Sequence, residues 1–305
     1  MSTARILQLA PIPPEVRDIL GADNQLVAYA KGSDAPGFDV AVTTSMAGAD
    51  AALFERLPDL KLLLCNGTGV DAIDLEAAAR RGIIVRNTPD EVVSDTADFA
   101  MGLLYAVGRR IAEADRFVRA GRWGPERLPP ATRVSSMTIG IVGLGKIGQT
   151  IAARASGIGM SVLYTGPREK TGVPYRFVAE VGDLAGRVDA LVLSCPGGPA
   201  THHLVDSAVL ERLGPDGILV NVSRGSVVNE AALIEALAAG AIKGAGLDVF
   251  AAEPGLDPRF LGLENVVLAP HYASVTAETR AAIGEALAGA ARDFRAGRDV
   301  FNAAR

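Results

Sequence analysis

Residues 138–148 read TIGIVGLGKIG, an apolar strand pattern that runs directly into Gly143, Gly145 and Gly148. A helical pattern, IGQTIAARASGIG, follows at once. A glycine-rich turn alone is weak, because glycines also serve purely steric ends. Between a clean strand and a clean helix the same spacing specifies a dinucleotide loop. Gly143 permits the tight turn, Gly145 lets backbone approach a pyrophosphate, and Gly148 lets the helix pack close to the strand. The helix N-terminus then faces the anion. Leu144, Lys146 and Ile147 complete the expected loop.

Short apolar strands alternate with helical patterns along all 305 residues. In the first hundred residues the strand patterns are Ile6–Leu9, Leu26–Tyr29, Val40–Thr43, Leu62–Cys65 and Ile83–Arg86. A helical stretch, Leu75–Arg81, is stopped by Gly82. A long helical pattern then spans about Asp95 to Ala120 and ends at Gly121. The segment RWGPERLPPATR reads as a loop. A second series has strands Thr138–Val142, Val162–Thr165, Tyr175–Val178, Ala190–Ser194, Ile218–Val222 and Val266–Leu268, and a last helix over roughly Thr276–Arg295. Alternation of this kind predicts α/β architecture with parallel sheets covered on both faces. Two such series in a chain of this length predict two domains.

Composition narrows the function classes. With a net charge of −5 and a pI of about 5.4, the chain lacks the basic face that non-specific nucleic-acid binding requires. Of its 30 basic residues only 5 are lysines, an arginine bias read as genomic composition. Cys65 and Cys195 lie in strand-like runs and predict buried free thiols, not a disulfide framework or a metal site. No secretory leader is expected from MSTARILQLAPIPPEV, nor is any run long and apolar enough to span a membrane. A cytosolic location is the expectation.

After a dinucleotide loop, the end of the second strand usually carries an acid that binds the ribose hydroxyls of NAD. Here that strand ends at Thr165, and residues 160–168, MSVLYTGPR, contain no acid. Arg168 and Lys170 follow instead, which suits a 2′-phosphate and hence NADPH. The competing reading makes Arg168 an ordinary solvated loop residue.

Ionisable residues mark three strand ends in the second half. Arg224 follows ILVNVS, Glu253 lies in LDVFAAEP, and His271 follows NVVLAP. In open parallel sheets the strand C-terminal ends form the ligand crevice. The other two histidines, His202 and His203, sit in PATHHLVD and read as structural or solvated.

The strings NVSRGSVVNE, GAGLDVFAAEP and APHYAS resemble signatures of the D-2-hydroxyacid dehydrogenases. The spacings agree: 29 residues separate Arg224 from Glu253, and 18 separate Glu253 from His271. NGTGVDAIDL resembles that family's substrate loop, and NTPDEVVSDTADFAMGLL its interdomain region. Within the family, LYTG and SCPGGPATHHLVD look most like the glyoxylate and hydroxypyruvate reductases, and much of the N-terminal half looks like the hydroxyphenylpyruvate reductases. The resemblance implies a Rossmann NAD(P)-binding domain, residues 99–274, inserted in a flavodoxin-like substrate domain, residues 1–98 with 275–305. It implies reduction of a small 2-keto acid, with His271 as acid, Glu253 orienting it and Arg224 pairing with the substrate carboxylate. Backbone N–H groups of Thr68 and Gly69 would complete the carboxylate site. Thr96, Cys195, Pro196, Thr201, Val222 and Asp248 would line the cofactor with Thr165 and Arg168. A homodimer is expected as well, through the long helix and the loop bearing Trp123.

Three positions depart from the family pattern. Thr68 stands where Val is common, Tyr272 where a smaller aliphatic residue is common, and Pro167 where NADPH-using relatives often have their first Arg. Alternatives within the family are a hydroxyphenylpyruvate reductase or a 3-phosphoglycerate dehydrogenase. The latter usually has Asp at the Thr165 position. Formate dehydrogenase fits less well, and the Tyr-x-x-x-Lys pair of a short-chain dehydrogenase is absent. A reading of another class is a nucleotide-sensing corepressor, although no interaction tail is seen.

Overall fold

The computed structural model describes residues 4–301. The chain divides into two compact units, Met1–Val92 with Val275–Arg305, and Val93–Ser274.

The first unit contains β1 (Ala4–Gln8), α1 (Pro14–Ala22), β2 (Asn24–Ala28), β3 (Val40–Thr44), α2 (Ala51–Glu55), β4 (Leu62–Asn66), α3 (Leu75–Arg80) and β5 (Ile84–Arg86), with the chain's last helix, Ala277–Arg295. Its strands form one sheet in the order β2-β1-β3-β4-β5, every pair parallel. That is the flavodoxin-like order, with its switch point between β1 and β3. Central strands of such a sheet are buried on both faces and read as continuous apolar runs. Accordingly Leu62, Leu63, Leu64 and Cys65 are all 0% exposed. Leu7, Phe54, Leu57 and Leu63 share one core cluster, each such side chain stabilising by roughly 1.5–3 kcal/mol when buried. The last helix is capped by Thr276, whose side chain accepts the Thr279 N–H, and it packs along α1.

The second unit contains α4 (Val93–Gly108), α5 (Ile111–Arg119), β6 (Thr138–Val142), α6 (Lys146–Gly157), β7 (Ser161–Thr165), β8 (Arg176–Phe177), α7 (Val181–Ala185), β9 (Ala190–Leu193), α8 (Ser207–Leu213), β10 (Ile218–Asn221), α9 (Glu230–Ala238), β11 (Gly244–Leu247) and β12 (Val266–Leu268). Its all-parallel sheet has the order β12-β11-β10-β9-β6-β7-β8. Strand order reverses between β6 and β9, the point at which open parallel sheets bind ligands beyond their strand C-termini. The expected fold class, two doubly wound parallel α/β sheets, is the observed one.

The long helix differs from expectation. It is broken between α4 and α5, where Arg110 takes a left-handed φ of 54°. The Arg110 guanidinium grips the Glu113 carboxylate at 2.6 and 2.7 Å, an interaction that suits the start of a new helix. Apolar periodicity continues across the break, which is why the sequence pattern reads as one helix. Of β11 the sequence marks only the strand-like run ahead of Glu253 and not its range, because GAGL carries no β-branched residue.

Candidate active site

In the second unit, β6 ends at Val142 and Gly143 turns the chain with φ 91°. A Cβ there would lie 2.7 Å from Cys195 Cα and 2.8 Å from its nitrogen, so only glycine lets the β6 and β9 loops touch. Gly148 is buried in α6, where a Cβ would lie 2.2 Å from the Gly143 carbonyl oxygen. Gly145 is different. Nothing lies within 4 Å of its missing Cβ, and the space is open. It caps α6 with no side-chain hydrogen bond, so the helix's positive end is offered to whatever fills that space. Leu144 is 2% exposed and Ile147 packs partly into the core, which leaves the Leu144 backbone and the exposed Lys146 to face a ligand.

The C-terminal ends of β10, β11 and β12 carry the ionisable residues. Arg224 follows β10 in extended conformation, and Asn221 fixes that turn by donating to the Arg224 carbonyl at 3.0 Å. Glu253 follows β11 and accepts the Phe250 N–H at 2.9 Å through Oε1. Its Oε2 meets His271 Nδ1 at 2.6 Å. His271, after β12, has a left-handed φ of 53°. Asp248 holds that unusual backbone. Its carbonyl accepts the His271 N–H at 2.8 Å, and its carboxylate accepts the Tyr272 N–H at 2.6 Å and the Ala273 N–H at 2.9 Å.

Charges follow the contacts. The Glu253 hydrogen bond raises the His271 imidazole above its ordinary value, against the opposing pull of burial. Burial raises the Glu253 carboxyl, but hydrogen bonds from His271 and the Phe250 N–H, with the His271 and Arg224 charges, overcome it and leave the group lowered. Arg224 thus stands near enough for its charge to act on both partners. Burial also raises the Asp248 carboxyl, which is 1% exposed. Both shifts favour the carboxylate form of Glu253 and the imidazolium form of His271, and His271 Nε2 is left for another partner.

The sequence profile of the D-isomer specific 2-hydroxyacid dehydrogenase NAD-binding domain matches residues 101–273. A glyoxylate/hydroxypyruvate reductase of Arabidopsis thaliana is 43% identical over 81% of this chain and 79% of its own length. The chain belongs to the D-isomer specific 2-hydroxyacid dehydrogenase family. A 2-ketogluconate reductase of Gluconobacter oxydans is 39% identical over 90% of each chain. Among solved structures, an NADPH-dependent glyoxylate/hydroxypyruvate reductase from Sinorhizobium meliloti, in complex with NADP and malonate, superposes with a TM-score of 0.91. It is 34% identical over 99% of this chain and 96% of that one.

The remaining predicted site residues of this dehydrogenase fall in two groups. Thr165, Cys195, Val222 and Asp248 lie at or just beyond the C-terminal ends of β7, β9, β10 and β11, along one edge of the sheet, and all four are buried. Thr96 is buried in the first turns of α4. Burial pushes the Cys195 thiol up to about 11. Two hydroxyls are held by backbone carbonyls: Thr165 donates to the Ala179 carbonyl at 3.0 Å, and Thr201 to the carbonyl of the exposed Pro196 at 2.7 Å. Arg168 is exposed on the loop after β7. Thr68 and Gly69 belong to the first unit, half-buried in the loop after β4. His202 and His203 are exposed, with stacked rings 3.9 Å apart.

Sequence reasoning passes over several residues. Ser194 donates to the Gly143 carbonyl at 2.8 Å, and the Tyr164 hydroxyl accepts the Lys170 N–H at 2.8 Å, closing the turn that bears Arg168. Neither has a local signal, because each partner is distant or a backbone atom. Among the described residues no cluster of three His, Cys, Asp or Glu could hold a metal ion, and no helix is long and apolar enough to cross a membrane.

Proposed function

We propose that this dehydrogenase reduces a small 2-keto acid of the glyoxylate or hydroxypyruvate type to the D-2-hydroxy acid, using NAD(P)H with NADPH preferred. The 2.6 Å contact between Glu253 and His271, under the charge of Arg224, carries the reading. The open space at Gly145 and the uncapped start of α6 suit a pyrophosphate. The bound nicotinamide supplies the hydride. His271 donates its Nε2 proton to the keto oxygen and is left neutral, while Glu253 stabilises the imidazolium before transfer and fixes its orientation. Because the His271 side chain is 39% exposed, solvent can restore the proton. Arg224 pairs with the substrate carboxylate and polarises the carbonyl through its planar fork of donors. Thr68 and Gly69 offer backbone N–H groups to a substrate carboxylate. The Val93–Ser274 unit is the nucleotide domain in this reading, and the other unit the substrate domain. Arg168, on the turn closed by Tyr164, meets the 2′-phosphate.

A homodimer goes with this proposal. Ile111 and Val118 on α5, and Trp123 just beyond it, are 54%, 52% and 75% exposed, and exposed apolar side chains of this size suit a symmetric contact. A cytosolic location fits the two buried free thiols, Cys65 and Cys195. The deciding experiment is loss of NADPH absorbance with a panel of glyoxylate, hydroxypyruvate, 2-ketogluconate and hydroxyphenylpyruvate, with chiral analysis of the product. Failure to reduce any of them, or formation of the L-isomer, refutes the reading.

A further inference from the structure

Residues 67–69 follow β4 in a loop whose carbonyls and amides are treated unequally. The Gly67 carbonyl accepts the Thr88 N–H at 3.1 Å, and the Thr68 carbonyl accepts Asn87 Nδ2 at 2.7 Å. The Gly67 N–H donates to Thr88 Oγ1 at 3.1 Å, and the Thr68 hydroxyl donates to the Thr88 carbonyl at 3.0 Å. By contrast, the N–H groups of Thr68 and Gly69 meet no acceptor among the described residues. Asn87 and Thr88 are 7% and 0% exposed, and buried polar groups of this kind persist where their hydrogen bonds have a use.

Peptide geometry gives that use. The C=O of one residue and the N–H of the next share a rigid trans plane and point in opposite directions. Tying down the Gly67 carbonyl therefore fixes the Thr68 N–H, and tying down the Thr68 carbonyl fixes the Gly69 N–H. With glycine at both 67 and 69, either plane could otherwise turn over at small cost, and a carbonyl would then face the anion in place of a donor. Resting on the reading of Thr68 and Gly69 as carboxylate-binding amides, we infer that Asn87 and Thr88 are positioning residues that lock two peptide planes so that both N–H groups stay available to the substrate carboxylate.

The test uses the full chain with Asn87→Ala, Thr88→Val and the conservative Thr88→Ser. Asn87→Ala removes the tether on the 68–69 plane, and Thr88→Val removes the hydroxyl that holds the Gly67 N–H. Asn87→Ala is expected to raise the keto-acid KM by about tenfold, the worth of one hydrogen bond to a charged group, and Thr88→Val, which keeps the backbone N–H on the Gly67 carbonyl, by less. kcat at saturation should stay within about twofold, the NADPH KM should be unmoved, and Thr88→Ser should restore the wild-type KM. Oxamate serves as a second readout, because its amide carbonyl resists hydride and its affinity, read by nucleotide fluorescence, needs no turnover. Its dissociation constant should rise in step with KM. Unchanged oxamate affinity in folded Asn87→Ala and Thr88→Val proteins would overturn the inference, as would an equal loss of NADPH affinity, which signals general damage. A wild-type chain that binds oxamate more tightly than these variants yet reduces no keto acid would refute the proposed reaction and leave the positioning role standing.

Discussion

The loop at 143–148 and the turn at 271–273 both follow strands of one parallel sheet, yet opposite means hold them in place. The loop is shaped by missing side chains: at Gly143 and Gly148 a single added carbon would strike backbone at 2.7 Å or less. The turn is shaped by side chains that are present. Asp248 holds the backbone on both sides of Tyr272, and Glu253 holds the imidazole. Steric fit is indifferent to pH and tolerates no addition. A corner built from charge tolerates isosteric change and responds to protons. Substitutions in the two regions should therefore fail in different ways.

The largest effect is expected at the charged corner. His271→Asn keeps the size and polarity of the side chain but removes the proposed proton donor. General acid catalysis contributes roughly 100- to 10,000-fold, so kcat should fall by that order while NADPH affinity, read by fluorescence titration, stays put. Retention of half the wild-type rate would remove His271 from the mechanism.

At the glycine loop the contrast lies within the loop itself. Gly143→Ala places a Cβ against the Cys195 backbone at a φ of 91°. Backbone strain of about 1–3 kcal/mol should lower Tm and nucleotide affinity together. Gly145→Ala meets only open space, so Tm should hold while NADPH affinity falls. Equal affinity losses with equal loss of Tm would mean that the open space at Gly145 is not a ligand's.

The same contrast governs what is legible in the amino-acid sequence. Missing side chains are written in the chain as glycines at fixed spacing, so the loop at 143–148 can be read directly from residue order, and alternating apolar runs mark the two parallel sheets in the same way. The corner is legible as residue types at strand ends, but not as a contact between Glu253 and His271. Asp248 can be named only by family resemblance, and its grip on Tyr272 and Ala273 involves backbone atoms that no side-chain pattern marks. Asn87 and Thr88 act on a loop some 20 residues away. The break at Arg110 escapes because the apolar period runs on through it.

A smaller effect concerns the nucleotide's phosphate. β7 ends in Thr165 with its hydroxyl on the Ala179 carbonyl, and Arg168 lies exposed beyond it. One charge-assisted hydrogen bond of about 1.5–3 kcal/mol implies a preference for NADPH over NADH of roughly ten- to hundredfold. Arg168→Ala should erase most of it by raising the NADPH KM and leaving NADH nearly untouched. Equal kcat/KM for the two cofactors in the wild type would contradict the preference.

The smallest and most particular difference is in pH response. The folded His271 pKa lies above its ordinary 6.5, first because of the Glu253 hydrogen bond. A raised pKa means that its contribution to stability is complete below about 6.5 and is lost as pH rises through the folded value. Glu253 lies below its ordinary 4.5, so its contribution is complete above about 4.5 and is lost as pH falls through its folded value. The pair therefore stabilises most between these two limits, and keto-acid reduction, which in the proposed mechanism needs the imidazolium, should hold up to about 6.5 and fall on a basic limb above it. Glu253→Gln keeps a hydrogen-bond acceptor but removes the charge, so that limb should move to lower pH, with kcat on the acidic plateau reduced less than in His271→Asn. The glycine loop supplies the control. Gly145→Ala should leave the limb where it is, since no titrating group touches that position. A limb that moves equally in Glu253→Gln and Gly145→Ala would show that it reports nucleotide binding and not the proton on His271, and the contrast between the two regions would fail at its sharpest point.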